Sequence, residues 1–513
     1  MPDRPNVLIL MSDQHRPDAL GCAGNGAIHT PNFDRLARRG VVFEEAYTTS
    51  PLCGPARMSF LSGVYPHNTG ILQNGGWQPA DDPTFFQRLR DAGYYTAHVG
   101  KSHWGGGDFD HFDENEAFMR ARGFEFVRET EGTGPATTEH TEHWVNEHWR
   151  EAGHLGEFRA DLARRRNESG FWSSPLPTEE HWDSVVSREA LEFLSGYDRD
   201  EPFCLFVGWG GPHDPLDPPA EFAEMYDADE MPAPVESEPF GEWVPERARE
   251  FMEREGLAGP TQDEWPAERI EGANAGHMAT TVTPEGYWRP PLDDAGWREL
   301  RKHYYGKVSL LDYWVGEFLD TLDARGDLED TVVVYLSDHG EMAGDHGLVA
   351  KKTFYDASVR IPLIVSGPGF EDGVTTDALA EIIDIGPTLL DAADADPPGR
   401  SFGESLCPVL RGEGGVEREA VFSQVRGHTD NYKAMVATPD YKYAVDNDAR
   451  GYMLFDREAD PDERENLIGH PDYYEVERDL RERLLEFYHV TGTRFVNVGD
   501  GRHEILEPGL KDE

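Results

Sequence analysis

The stretch Cys53-Gly54-Pro55-Ala56-Arg57 sets a thiol four positions ahead of a guanidinium, just before the apolar segment Met58-Ser59-Phe60-Leu61-Ser62-Gly63. That segment reads as a helix opening behind the Cys53 loop. At a helix N-terminus, backbone N–H groups and the helix dipole favour anions, so an anionic nucleophile is well placed there. A lone cysteine in a proline-containing turn is also commonly just a small buried side chain. Arg57 is the residue that turns the reading toward chemistry.

Other polar residues stand where apolar runs end. Residues 6–11 (NVLILM) are followed by Ser12-Asp13-Gln14-His15. An aspartate in that place is either a ligand or a helix N-cap, and both readings stand. Residues 94–100 run into Lys101-Ser102-His103-Trp104, and two residues apart in an extended segment project to the same side. Residues 203–209 lead to Pro212-His213-Asp214-Pro215, and residues 331–336 (TVVVYL) lead to Ser337-Asp338-His339-Gly340-Glu341. Lys351 and Tyr355 follow after a glycine-containing loop.

These groups need a scaffold that delivers them to one place. Near-continuous apolar runs are the pattern of strands buried on both faces in a parallel sheet. Alternating helices and strands from 6 to about 390 imply a mostly parallel α/β sheet sandwiched by helices, in which ligands bind at the carboxyl ends of the strands. Helices are predicted at 30–37, from 84 toward Gly93, up to 194, and over 304–322. Segments near 105–190 and 215–300 are poor in strand patterns and rich in Trp, Pro, Asp and Glu, and read as insertions that carry recognition loops. Pro397-Pro398-Gly399 marks a boundary between a domain at 1–396 and a smaller subdomain at 397–513. In the latter, 420–422, 433–436 and 442–445 read as a small antiparallel sheet, followed by a helix over 473–488.

Bulk properties narrow the function. The 513 residues carry 98 Asp plus Glu against 47 Lys plus Arg, a formal net charge of −51, which argues against a nucleic-acid or anionic-membrane binder. With 11% aromatic residues the chain is expected to fold, and the acid surplus reads as a surface adaptation of the salt-in halophile kind. At molar salt the screening length falls to roughly 3 Å, so self-repulsion is tolerated. The four cysteines, Cys22, Cys53, Cys204 and Cys407, form no CxxC pair and fit neither a disulfide framework nor a zinc ribbon. The first strand begins within a few residues of Met1, leaving no room for a signal peptide, and no apolar run approaches the roughly 20 residues of a membrane span. A cytoplasmic location is expected.

Taken together, the motifs resemble those of a type I, formylglycine-dependent sulfatase of the alkaline phosphatase superfamily. The segments that carry the resemblance are NVLILMSDQHRPDALGCAGN, the CxPxR core at Cys53, GKSHWG, GWGGPHDP, LSDHGEMAGDHG, AKKTFYDASVRIPLIV, GESLCPVLRG and YMLFDREADPDERENL, in family order. The resemblance implies an alkaline-phosphatase-like fold and oxidation of Cys53 to Cα-formylglycine by a formylglycine-generating enzyme. It implies a divalent cation, Ca²⁺ with Mn²⁺ or Mg²⁺ as alternatives, on Asp13, Gln14, Asp338, His339 and the modified Cys53. One hydroxyl of the hydrated aldehyde would attack sulfur, and the second would expel sulfate. Arg57 and Lys101 would stabilise the diol, His103 would be the base for release, and His213 and Lys351 would contact the sulfate, one of them protonating the leaving oxygen. The substrate would be a small-molecule or carbohydrate sulfate ester.

Three departures mark this chain. Ala56 stands where many members have serine, and Ala350 where glycine is frequent before Lys351. Gln14 and His339 replace the commoner Asp and Asn, a set that also resembles phosphonate monoester hydrolases and choline sulfatases, so phosphonate or phosphodiester substrates are an alternative. A non-catalytic binder of sulfated ligands is a third reading. Trp77, Trp104 and Trp209 could stack on a substrate ring or pack in the core, and His346 could support the site or belong only to its loop.

Overall fold

The computed structural model describes residues 4–75, 82–104, 115–130, 143–165, 171–255, 292–397, 401–415, 418–426 and 432–493, with short pieces at 257, 281–282, 288–289, 399, 495–497 and 503–505. Its centre is an eight-stranded sheet ordered Val374–Thr376, Gly40–Phe43, Leu363–Ser366, Thr331–Ser337, Asn6–Asp13, Phe203–Pro212, Tyr95–Lys101 and Phe126–Thr130. Only Leu363–Ser366 runs antiparallel to its neighbours. The mostly parallel arrangement follows from the apolar runs, because every second residue of the first strand serves a different core. Leu8 and Leu10 pack with the long helix Asp294–Arg325, while Val7, Ile9 and Met11 face the opposite layer with Phe60, Phe85 and Leu389.

A smaller antiparallel sheet, Val421–Arg426, Tyr432–Ala437, Tyr441–Val445 and Gly451–Asp456, follows in the C-terminal region. The helix Tyr474–Thr493 covers it through Leu480 and Leu484, which join the same apolar cluster as Tyr443 and Leu454. That cluster also holds Phe354 and Tyr355, so the C-terminal sheet packs directly beneath the segment that bears Lys351.

Three elements differ from the sequence expectation. The helix at the cysteine begins at Cys53 itself and runs to Ser62, with all ten residues buried, instead of opening at Met58. Pro55 does not prevent this, since the first-turn N–H groups have no intrahelical partner to lose. The long helix is 32 residues, wider at both ends than 304–322. The segment read as an insertion near 105–190 contributes the edge strand Phe126–Thr130, paired with Tyr95–Lys101, and the helices Trp144–Ala152 and Leu155–Arg165 ahead of the expected helix, Trp182–Gly196. The strand escaped notice because Arg128 and Glu129 break its apolar pattern, as an edge position allows. Among the described residues no helix is long and apolar enough to cross a membrane.

At the site end of the sheet two glycines face each other in register, Gly100 and Gly208. Gly100 has φ +103, and a Cβ on Gly208 would lie 2.0 Å from the Lys101 carbonyl oxygen. The strands therefore approach more closely than side chains permit, which sets the depth of Lys101. Gly208→Ala is expected to force the pair apart, lowering stability by about 1–3 kcal/mol and displacing Lys101. Thermal unfolding beside steady-state turnover checks this, and an unchanged variant would refute the close-approach account.

Candidate active site

Strand register builds the site. Ser12 pairs with Ser337, so the next residues, Asp13 and Asp338, emerge side by side from adjacent parallel strands. Gln14 N–H donates to Asp338 Oδ1 at 3.1 Å, and Gln14 takes φ +71 to turn the chain away. On the other flank Asp13 pairs with Pro212, and His213 N–H donates to the Asp13 carbonyl at 3.1 Å. Asp13 caps no helix: the next one, Gly21–Ala23, has Leu20 at its N-cap.

One ligand atom from each of Asp13, Cys53, Asp338 and His339 lies within 4.8 Å of the others, all four residues buried. His339 Nε2 is 3.1 Å from Cys53 Sγ, 3.8 Å from Asp13 Oδ1 and 3.7 Å from Asp338 Oδ1. Its Nδ1 lies 2.9 Å from the Gly340 carbonyl oxygen, which can only accept, so Nδ1 carries a proton and Nε2 faces the cluster. That orientation is the usual second contact of a metal-bound imidazole. Two carboxylates and an imidazole nitrogen converging in a buried place are a donor set suited to a divalent cation.

Cations surround this group. Arg57, wholly buried, donates from Nε to Asp338 Oδ2 at 2.7 Å and from Nη1 to the Lys101 carbonyl at 2.9 Å, and its Nη2 stands 3.7 Å from Asp13 Oδ2. Lys101 Nζ pairs with Asp13 Oδ2. Lys351 Nζ donates to Gln14 Oε1, and Gln14 Nε2 donates to Glu341 Oε2. A lysine can only donate and a carboxylate only accept, so the Gln14 amide is fixed with its oxygen toward Lys351. Ala350 takes φ +63, so the turn before Lys351 keeps the left-handed conformation that glycine would favour.

The charge balance appears in the acidities. Burial alone pushes the Asp13 carboxyl up, but Lys101, then His213, Lys351 and Arg57, outweigh it and hold the group well below the usual carboxylate range. Burial and Asp13 push the Cys53 thiol up, and Lys351, His339 and Lys101 bring it well below an ordinary thiol. An anion at position 53 is thus favoured. Burial draws Lys351 down, and Cys53, Asp13, Asp214 and Asp338 more than reverse it, so Lys351 stays charged. His213 is lowered, first by burial and then by Lys351 and Lys101, with Asp214 and Asp13 opposing.

The predicted residues do not all touch. Asp13, Cys53, Asp338 and His339 form the cluster, Arg57 and Lys101 bond to it, and Lys351 reaches it through Gln14. His213 joins through its backbone. His103, two residues beyond Lys101, is half-buried at φ +60, and its buried Nδ1 has no hydrogen-bond partner among the described residues. Trp104 and Trp209 are wholly buried and donate to the Arg57 carbonyl and to Ser187 Oγ, which rules out stacking on a substrate. Trp77 lies outside the described residues. His346 stacks on Tyr355 at 3.8 Å and bonds Ser237 at 2.8 Å, so it supports the loop.

Several contributors gave no sequence signal. Glu341 orients Gln14 and accepts from Ala343 N–H at 2.9 Å and Ala350 N–H at 2.6 Å. Asn74, exposed, accepts from Gly54 N–H at 2.9 Å in the first turn of the Cys53 helix. Glu129 bonds Ser102 N–H at 3.1 Å and His98 Nε2 at 2.9 Å, bracing the Lys101–His103 turn. Glu341 belongs to the LSDHGEMAGDHG segment but had no role assigned by it, whereas Asn74 and Glu129 are single polar residues outside any motif.

A helix-covered, mostly parallel sheet that gathers buried acids, an imidazole and cations at its carboxyl edge is an alkaline-phosphatase-like fold. The chain belongs to the sulfatase family: residues 5–395 match the family described as Sulfatase, and 344–489 match N-sulphoglucosamine sulphohydrolase, C-terminal. It is a sulfuric ester hydrolase. The chain is 29% identical over 497 residues to an arylsulfatase of Clostridium perfringens, covering 94% of each chain. It is 30% identical over 483 residues to a choline-sulfatase of Rhizobium meliloti, covering 91% of this chain and 83% of the relative. The fold superposes on a phosphonate monoester hydrolase of Agrobacterium radiobacter with a TM-score of 0.76 at 22% identity, covering 98% of this chain and 100% of that one.

Asp13 supplies a pH test. A carboxyl depressed in the fold adds stability above its unfolded pKa, about 4, and that stability is lost as pH falls through the folded value. Lys101→Met removes the largest cationic influence on Asp13. The Asp13 pKa should rise, the acid limb should begin at higher pH, and stability near neutrality should fall by about 3–5 kcal/mol, the usual loss when one partner of a buried pair is removed. Unfolding of both proteins in chelator from about pH 2 to 8 measures this, and coincident acid limbs would refute the pairing.

Proposed function

We propose that this enzyme cleaves sulfate monoesters of small alcohols, phenols or sugars, with Cys53 converted to formylglycine by a formylglycine-generating enzyme. The observation that carries the reading is the convergence of Asp13, Cys53, Asp338 and His339 beside Arg57 and Lys101. In the structure, Cys53 Sγ stands in for the oxygens of the hydrated aldehyde. When formed, that group supplies a hydroxyl nucleophile and a second hydroxyl for release of sulfate. A bound divalent cation supplies charge neutralisation of the sulfuryl oxygens. Asp13, Asp338 and His339 would hold it, with the Gln14 amide adjoining, and Ca²⁺ suits the oxygen donors while the His339 nitrogen admits Mn²⁺ or Mg²⁺.

The remaining roles belong to the chain itself. Arg57 and Lys101 hold the nucleophile's negative charge, since both already draw the position 53 group and its neighbours into ionised form. Lys351, kept charged, faces a sulfate oxygen. His103, with its ring nitrogen uncommitted, takes the proton for the release step, and His213 meets the leaving oxygen. The acid surplus suits concentrated salt, where it is screened.

A second reading, hydrolysis of phosphonate monoesters or phosphodiesters, is favoured by one observation. The Gln14 amide is locked between Lys351 and Glu341, so the loop carries one anion fewer than an Asp-Asp pair and leaves more positive charge for a phosphoryl group. Turnover of matched aryl sulfates and aryl phosphonates separates the two. The sulfate rate is expected to dominate, and a dominant phosphonate rate would overturn the main reading.

Two further outcomes are expected. Mass spectrometry of the peptide spanning Cys53, in protein from its own host, should find the aldehyde, lighter than the thiol and reactive with hydrazides. An unmodified thiol would support a binder over a catalyst. Cys53→Ala should keep its unfolding temperature and lose at least about 10³-fold in turnover, and retained activity would refute the nucleophile.

A further inference from the structure

The turn Gly210-Gly211-Pro212-His213-Asp214-Pro215 hangs from two buried side chains that no motif announced. Asp183, in the first turn of the helix Trp182–Gly196, accepts on Oδ1 from Gly210 N–H at 2.9 Å and Gly211 N–H at 3.0 Å. Its Oδ2 is buried with no hydrogen-bond partner among the described residues, 3.7 Å from His181 Nδ1. Lys307, from the middle of the long helix and wholly buried, donates from Nζ to the carbonyls of His213 at 2.8 Å and Pro215 at 3.1 Å. A Cβ on Gly211 would lie 2.5 Å from Asp183 Oδ2 and 3.5 Å from Lys307 Cε, so both side chains press against the turn.

As stabilisers these are poor choices. A buried ammonium that bonds two carbonyls, and a buried carboxylate with one oxygen unmatched, are costly beside an apolar junction of the same shape. What they achieve is geometric. Asp183 pins the amides that enter the turn, Lys307 pins the carbonyls that leave it, and His213 lies between. The His213 N–H is already held by the Asp13 carbonyl at 3.1 Å, and its Nδ1 bonds the Asp214 carbonyl at 2.8 Å. The ring is thereby fixed, and Nε2 makes no hydrogen bond among the described residues.

We propose that Asp183 and Lys307 are positioning residues, which hold the 210–215 turn so that His213 Nε2 meets the leaving oxygen of the ester. This rests on the role given to His213 above. In that step the S–O bond to the leaving oxygen breaks with its electron pair on oxygen. In the acid form of the ring both nitrogens carry protons, Nδ1 on the Asp214 carbonyl and Nε2 toward the ester. The leaving oxygen takes the Nε2 proton, leaving a neutral imidazole and a free alcohol, while the sulfuryl group passes to the nucleophile at position 53. A ring displaced by a fraction of an ångström transfers that proton poorly, and poor transfer matters most when the leaving group is basic.

The test uses the whole enzyme with conversion of Cys53 confirmed by mass spectrometry. Lys307→Met, Asp183→Asn and His213→Ala are assayed on aryl sulfates of graded phenol acidity and on an alkyl sulfate. For His213→Ala the loss in kcat should grow with leaving-group basicity, reaching on the order of 10²-fold. Lys307→Met and Asp183→Asn should follow the same trend at about tenfold or more, and Lys307→Arg should restore most of it. Lys307→Met combined with His213→Ala should be no slower than His213→Ala alone, because both act through one ring. If His213→Ala is steep but the other two lose activity equally on every ester, or their losses add in full to it, the positioning role is overturned and the His213 role stands. If His213→Ala itself is flat, the His213 role falls and this proposal with it. Should Lys307→Met fail to fold, Asp183→Asn, nearly identical in shape, carries the same comparison.

Discussion

The structure depends on placing two carboxylates side by side in its interior. Asp13 and Asp338 leave adjacent parallel strands in register and are both wholly buried. Burial penalises charge, and two neighbouring carboxylates penalise each other. Arg57 resolves this by bonding Asp338 and lying against Asp13, and Lys101 neutralises Asp13 from the other side. A buried ion pair of this kind seldom stabilises a fold beyond what apolar residues would achieve. What the arrangement achieves is geometric: negative and positive side chains are held a few ångströms apart, as the proposed cation and anion sites require.

That balance dictates the surrounding architecture. Arg57 must be inside, so the helix that carries it is buried on every face, an arrangement that only small and apolar neighbours such as Ala56, Met58 and Phe60 allow. Lys101 must reach Asp13 from two strands away, so the intervening strand is thinned to glycine at Gly208, and Gly100 opposes it. Lys351 must be fixed although it lies on a loop. Glu341 therefore bonds the amides of Ala343 and Ala350, and the C-terminal sheet packs beneath Tyr355.

Much of this was legible in the residues because two independent signals coincided. Strands such as 331–336 are apolar throughout, which identifies a central parallel strand, and a polar cluster at the end of such a strand falls at the binding edge. Asp13, Asp338 and His339 were found that way, and Cys53 and Arg57 by their spacing. The edge strand Phe126–Thr130 was not legible, since its pattern is broken by the Glu129 that braces the Lys101–His103 turn. Asp183 and Lys307 were not legible either. Each is a single charged residue on a helix, where the ordinary expectation is a solvated face, and only the packed structure reveals that both are buried.

The same distinction bears on the net charge of −51. Surface carboxylates are screened by salt over roughly 3 to 10 Å, so their number can grow without upsetting the fold. The site's charges are excluded from solvent, and salt cannot screen them in that way. Each must be matched by a close neighbour, which is why Arg57 bonds Asp338, Lys101 bonds Asp13 and His339 lies against Cys53 in a chain whose acids outnumber its bases two to one. An acidic exterior and a cation-rich interior are therefore compatible, because the two sets of charges answer to different dielectric surroundings. A substrate anion must cross the first field to reach the second. At low ionic strength the outer charge opposes its approach, and at high ionic strength only the short-range inner field remains, which favours binding.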